Sequence, residues 1–293
     1  FKKDSDQYVW AYGLEDSQIR SVAISANGVY IAAGTVAQYP GKDNAVHLFG
    51  RDNNTPIWSY EFTYGEDVRS VTISEDGNYI FVGNSNNKVY LFSRTSNTPQ
   101  WSYATEDDIF VVDISADGSY MVAGGQEDVL YLFDVEGDLV WSYTAEDGVF
   151  TVAISADGEY IAAGSYDNKV YLFGKDSSTP LWSYTTGNNV FSVAISADGK
   201  YIAAGSPDDK VYFFHTDSSA LLWSHTTGDD MSSVAISADG AYIAAGSADY
   251  KVYALQHRPS IHGTGIAIST VVAAEVGGLQ VRDITVRNTT SHG

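Results

Sequence analysis

The chain has 293 residues, 44% hydrophobic and 13% aromatic, which is ample apolar material for a core and too much for a disordered chain. Against 37 Asp+Glu it sets only 16 Lys+Arg, and the formal charge of -21 repels nucleic-acid phosphates and anionic membrane surfaces. With no Cys, disulfides, cysteine–zinc sites and thiol nucleophiles are excluded, and no apolar run is long enough to span a bilayer.

The chain opens on Phe1, not Met, and reads as a processed piece whose leader or anchor would lie outside it. The first predicted element is a strand over Tyr8–Tyr12 (YVWAY). From there the text repeats. Ile-Ser-x-(Asp/Asn)-Gly begins at Ile24, Ile73, Ile114, Ile154, Ile195 and Ile236, in steps of 49, 41, 40, 41 and 41. Tryptophans keep phase with it at Trp10, Trp58, Trp101, Trp141, Trp182 and Trp223, the last four each 13 residues before the next Ile-Ser.

Each unit predicts four short strands. In the fifth they are Val190–Ser196, Tyr201–Gly205, Lys210–Phe214 and Leu221–His225, rich in β-branched and aromatic residues and separated by Gly, Asp, Asn and Ser. Ala197-Asp198-Gly199 is hairpin chemistry, the Asp bonding its own backbone and the Gly taking positive φ. Val190–Ser196 carries no charge on either face, as expected of a strand buried on both sides. Four-stranded units at this period predict an all-β β-propeller over residues 1–255, of six blades or alternatively seven. The sixth unit lacks a following Trp strand, so the N-terminal strand is expected to supply its missing edge and close the ring.

The six tryptophans are expected to plug the gaps between adjacent blades. The loops leading from each Trp strand into the next inner strand carry paired acids: Glu15-Asp16, Glu66-Asp67, Glu106-Asp107-Asp108, Glu146-Asp147 and Asp229-Asp230, with Asn188-Asn189 as the exception. Propeller geometry places these loops on one face around the channel, together with Lys88, Lys169, Lys210 and Lys251. Two readings stay open: local salt bridges and turn caps, or an acidic ring that draws a basic partner or a weakly held divalent cation. No Asp-x-Asp-x-Asp calcium loop is present.

Two departures from the consensus are candidate interaction sites. The first unit has an enlarged turn, Thr35–Asn44, with Tyr39 and Lys42. Asp113 replaces the Ala or Thr of the other inner strands and is expected to face the channel. The histidines His47, His215, His225, His257, His262 and His292 show no metal-ligand spacing. No phosphate loop or nucleophile elbow occurs.

After Leu255 the repeat stops. Residues 256–293 form a mildly basic β extension, GTGIAISTVVAAEV and LQVRDITVRN flanking Gly277-Gly278, with Arg282 and Arg287 as candidate contact residues. Three readings remain: a degenerate seventh blade, the opening strands of a second β domain, or an arm that adds a strand to a neighbouring copy. Asn53 and Asn288 each begin a glycosylation sequon.

The pattern VxSVAISADGxYIAAGSxDxKVYLF resembles WD-repeat propellers, although no Gly-His precedes the first strand and no Trp-Asp ends the third. Trp-Ser-Tyr in the last strand is similar to pyrroloquinoline-quinone-type repeats. The mixture is closest to repeats of archaeal cell-surface and surface-layer propellers. That resemblance implies a cell-surface or extracellular, non-enzymatic module, structural or adhesive, with protein partners that include copies of itself. It implies no cofactor. The alternative is a ligand sensor or quinone-dependent oxidoreductase with its site at the acidic channel mouth. Such dehydrogenases, as the resemblance implies, have eight blades, often a vicinal cysteine pair, and calcium; this chain has six Trp units and no Cys.

Overall fold

A computed structural model describes residues 9–14, 16–40, 44–126, 128–258 and 272–275. Six antiparallel sheets of four strands each follow one another along the chain. The first holds β1 (Ser17–Ile24), β2 (Tyr30–Ala37), β3 (Asn44–Gly50) and β4 (Pro56–Phe62). The second holds β5 (Val68–Ile73), β6 (Tyr79–Asn84), β7 (Lys88–Ser93) and β8 (Pro99–Ala104). In the third are β9 (Ile109–Ile114), β10 (Tyr120–Gly125), β11 (Val129–Asp134) and β12 (Leu139–Thr144). The fourth comprises β13 (Val149–Ile154), β14 (Tyr160–Ser165), β15 (Lys169–Gly174) and β16 (Trp182–Thr185). The fifth comprises β17 (Ser192–Ile195), β18 (Tyr201–Ser206), β19 (Lys210–His215) and β20 (Ser218–Thr226). The sixth is β21 (Met231–Ile236), β22 (Tyr242–Ser247), β23 (Lys251–Gln256) and β24 (Val272–Glu275). The architecture is the expected all-β propeller.

Blades pack through their inner strands: β1 on β5, β5 on β9, β9 on β13, β13 on β17 and β17 on β21. Each interface is built the same way. The inner strand of one blade sets an apolar pair against a glycine of the preceding blade, as Val68 and Val71 do on Gly34. The Tyr opening the second strand lies over the turn glycine of the next blade: Tyr30 on Gly77, Tyr79 on Gly118, Tyr120 on Gly158, Tyr160 on Gly199 and Tyr201 on Gly240. A Cβ on Gly77 would come 2.5 Å from the Tyr30 ring, and its φ of 73° already disfavours any side chain. An inner-strand hydroxyl then accepts a bond from the following blade. Ser21 accepts from Val71 N–H at 3.0 Å, Ser70 from Val112 at 3.2 Å, Thr151 from Val193 at 3.1 Å and Ser192 from Val234 at 3.0 Å.

Two expectations need correction. The N-terminal segment does not close the sixth blade: β24 pairs with β23 there, while residues 9–14 carry no strand and lie against the first blade. Backbone pairing asks only for free N–H and C=O groups, so a strand without Trp can take that edge. Nor is the ring closed among the described residues, since no packed interface joins β21 to β1. The first-unit turn is also shorter than its sequence suggests. Thr35 and Asn44 prolong the β2–β3 hairpin, Ala45 N–H donating to Thr35 Oγ1 at 2.8 Å and Ala37 N–H to Asn44 Oδ1 at 2.6 Å.

Candidate functional site

The face bearing the loops between outer and inner strands is the candidate site. Asp16, Glu66, Asp67, Glu106, Asp107, Asp108, Glu146, Asp147, Asp229 and Asp230 are within the described residues; Glu15, Lys42, Arg282, Arg287, Asn288, His262 and His292 lie outside them. The predicted lysines share this face. Lys169 Nζ reaches Glu146 Oε1 at 2.6 Å, and the Lys88 charge acts on Glu66.

Part of the acidity is local turn chemistry. Asp107, Asp147 and Asp229 each accept from the following N–H at 2.7–2.9 Å, and Asn188 does the same at 2.8 Å, which is why an amide substitutes there. Another part is shared between loops. Burial raises the Asp108 carboxyl above its ordinary range, the Asp107 and Asp67 carboxylates add to this, and Arg69 partly offsets it. Burial likewise raises Asp128, with help from Asp147 and Asp167. Carboxylates of successive blades therefore lie within each other's field. Asp209, Asp229 and Asp230 bring their oxygens within 4.8 Å of one another, two of the three residues exposed and Asp209 half-buried. Three such surface carboxylates alone do not define an ion site.

Sequence reasoning missed the carboxylates that organise this face. The Asp in Ser-x-Asp of the turn before the third strand recurs as Asp167, Asp208 and Asp249. Each accepts from the Tyr hydroxyl two residues into that strand: Tyr171, Tyr212 and Tyr253. Each also accepts a loop N–H: Glu146 at 3.3 Å, Gly187 at 2.7 Å and Gly228 at 3.1 Å. Burial and then the Asp bond push Tyr171 and Tyr212 well up, so these phenols stay protonated donors. Hydrogen bonds from Tyr253, Ser247 and Lys251, working against slight desolvation, bring Asp249 down to about 2. The signal was available in the pairing of that Asp with Tyr four residues on, at fixed spacing in the last three units.

Asp113 sits in β9 among the inner strands and ties three blades together. Its carboxylate accepts from Ile154 N–H in β13 at 3.0 Å, from its neighbour Ile114 N–H at 2.9 Å, and from the Thr72 hydroxyl in β5 at 3.4 Å. Blade 3 has Val111 where the others carry the bridging hydroxyl, and Asp113, two residues on, bonds the following blade at Ile154 instead. Burial raises its carboxyl to about 6, against the pull of those three bonds.

Four tryptophans lie between adjacent blades. Trp58, Trp101, Trp141 and Trp182 lie 5.3–5.7 Å from Phe92, Phe133, Phe173 and Phe214 of the following blade. Their indole N–H groups donate to Arg94, Val135, Lys175 and Thr216 carbonyls at 2.7–2.9 Å. Trp10 does the same on the first blade, 5.3 Å from Phe49 and bonded to Arg51 O at 2.7 Å. Trp223 departs from the pattern. The sixth blade offers Leu255 where the others present Phe, so Trp223 stacks at 4.8 Å on Phe213 of its own blade. Of the enlarged turn, Tyr39 is exposed. His47 is buried and bonded to Ser59 Oγ at 2.8 Å.

With this geometry in view, the chain can be set beside known proteins. Residues 54–93 match the family described as WD domain, G-beta repeat, and residues 126–260 match that described as outer membrane protein assembly factor BamB. No curated protein matches. A chain in the crystal structure of the mitotic checkpoint complex superposes with a TM-score of 0.70 at 18% identity, covering 88% of this chain and 85% of that one. At that identity the likeness shows the fold alone. The protein is thus a β-propeller, with segments similar to WD-type repeats and to the assembly-factor family. No helix among the described residues is long and apolar enough to cross a membrane.

Proposed function

We propose that this protein is a non-enzymatic interaction propeller at the cell surface, a structural or adhesive module whose acidic face receives a basic protein partner. The observation that carries this reading is the gathering of carboxylates from successive loops on one rim, where Asp209, Asp229 and Asp230 bring their oxygens within 4.8 Å of one another and Asp67 and Asp147 bear on Asp108 and Asp128 of neighbouring loops. Such a rim focuses negative potential over the channel mouth and favours cationic ligands. The family likenesses agree, one family being named for an assembly factor and the superposed structure being a multiprotein complex. Asp113, the carboxylate nearest to a catalytic candidate, is engaged by three protein donors.

The test is titration of a lysine-rich peptide onto the protein at two salt concentrations. Neutralising Glu106 and Glu146 (Glu106→Gln, Glu146→Gln) should weaken binding about tenfold at low salt, while Glu75→Gln with Glu136→Gln, at the opposite ends of the strands, should leave it within about twofold. Equal losses from both pairs would reduce the effect to net charge and remove the acidic face as a site.

A further inference from the structure

Along the arc of six blades, the inner strands β1, β5, β9, β13 and β21 each carry a bulge beside the acidic loops. The residue left out of the ladder is Arg20, Arg69, Phe110, Phe150 or Ser232, and Phe191 holds the same place just before β17. A bulge re-aims the side chain it leaves unpaired. Packing does not require an aromatic ring at this position, since the repeat takes Arg and Ser there as well as Phe.

Two of these phenylalanines meet a third ring. Phe150 lies 5.2 Å from Tyr166 and 5.3 Å from Phe191, and Tyr166 meets Phe191 edge to face at 6.2 Å. All three are half-buried, and none belongs to an apolar core between blades.

The fourth blade departs from the repeat twice to place Tyr166. Its counterparts are Ser85, Gln126, Pro207 and Ala248, none of them aromatic. Gly148 stands where the other loops carry Asp67, Asp108, Asn189 and Asp230. A Cβ there would come 3.2 Å from the Tyr166 ring, so the glycine makes room for it. The turn itself does not ask for this change, because Asp147 still caps it by accepting from the Gly148 N–H at 2.8 Å.

The centre of an aromatic face is electronegative and attracts cations. These faces also lie in an acidic setting: burial, and after it the Asp147 charge, raises the Tyr166 phenol above its ordinary range. Among the described residues none of the chain's own cations lies over the three rings; Arg94 lies 4.8 Å over Tyr30, between the first two blades. Rings this close touch one another and leave no cage to enclose a compact ammonium. They offer a platform, on which a planar and weakly hydrated guanidinium can lie flat.

We infer, on the reading that the acidic face receives a basic partner, that Phe150, Tyr166 and Phe191 are the subsite for an arginine side chain of that partner, beside the Asp147 carboxylate. The test is titration of the full chain with hexa-arginine and with hexalysine at one salt concentration. Hexa-arginine should bind about tenfold more tightly. Phe150→Leu with Phe191→Leu should abolish that preference and leave hexalysine binding within about twofold. Tyr166→Ser, which installs the residue that the second blade carries as Ser85, should cost hexa-arginine alone about threefold. Phe110→Leu, at the same repeat position but outside the three-ring cluster, should leave the preference intact. A preference that is absent from the unaltered protein, or that survives in these ring variants, would overturn the inference and leave the acidic face standing. If neither peptide binds, the acidic face falls as a site, and the arginine subsite with it.

Discussion

The interfaces within the arc and the faces at its two ends are made from the same sequence text and differ only in what covers them. Val22 and Val71 occupy one position of the repeat, yet Val71 is 5% exposed and Val22 is 67% exposed. Trp141 and Trp223 likewise share a position, yet one reaches Phe173 across the blade gap and the other turns back on Phe213. In a repeat fold a side chain's contribution is thus set by its neighbour blade more than by its own identity.

That comparison can be broken most forcefully at the tryptophans. Trp141→Ala should cost about 3–5 kcal/mol in chemical denaturation, and Trp223→Ala about half as much, because its indole meets no ring of the following blade. Equal losses would show that the Trp contribution is made within a blade. Next come the valines: Val71→Ala should cost about 2 kcal/mol and Val22→Ala under about 0.5. A large cost at Val22 would mean that the face of the first blade is covered in solution.

A further expected effect concerns pH. Asp113 has its pKa raised by burial to about 6, so the native state binds the proton more tightly than the unfolded chain. Its contribution is full at low pH and is lost as pH rises from about 4 to about 6. Asp113→Asn should flatten that slope and leave the protein about 1–2 kcal/mol less pH-sensitive across the window. An unchanged slope would place the titration elsewhere.

Much of this molecule was legible because its text repeats. The Ile-Ser phase and the Trp spacing gave the blades, and alternation without charge gave their two-sided burial. What escaped had the same physical origin in each case: backbone groups and short polar side chains, which leave little trace in hydrophobic pattern. The β24 edge needs no Trp, so the absence of one did not betray the strand. Thr35 and Asn44 bond to the main chain across the first hairpin and extend it where their polarity suggested loop. The Asp167, Asp208 and Asp249 carboxylates looked like solvated turn residues, yet each fastens a Tyr hydroxyl to a loop N–H. The paired acids of the outer loops drew attention by their charge, although Asp107, Asp147 and Asp229 cap their own turns.

The contact of Tyr30 on Gly77, repeated through Tyr201 on Gly240, has a direction: each blade offers a ring forward and a glycine backward. Such head-to-tail joints are the joints of a polymer, and only curvature decides whether they end in a ring or continue as a fibre. The blades can thus be regarded as linked monomers of a short chain bent toward itself. Duplication or loss of one unit of about 41 residues would leave every joint chemically intact and alter only the bend required of each.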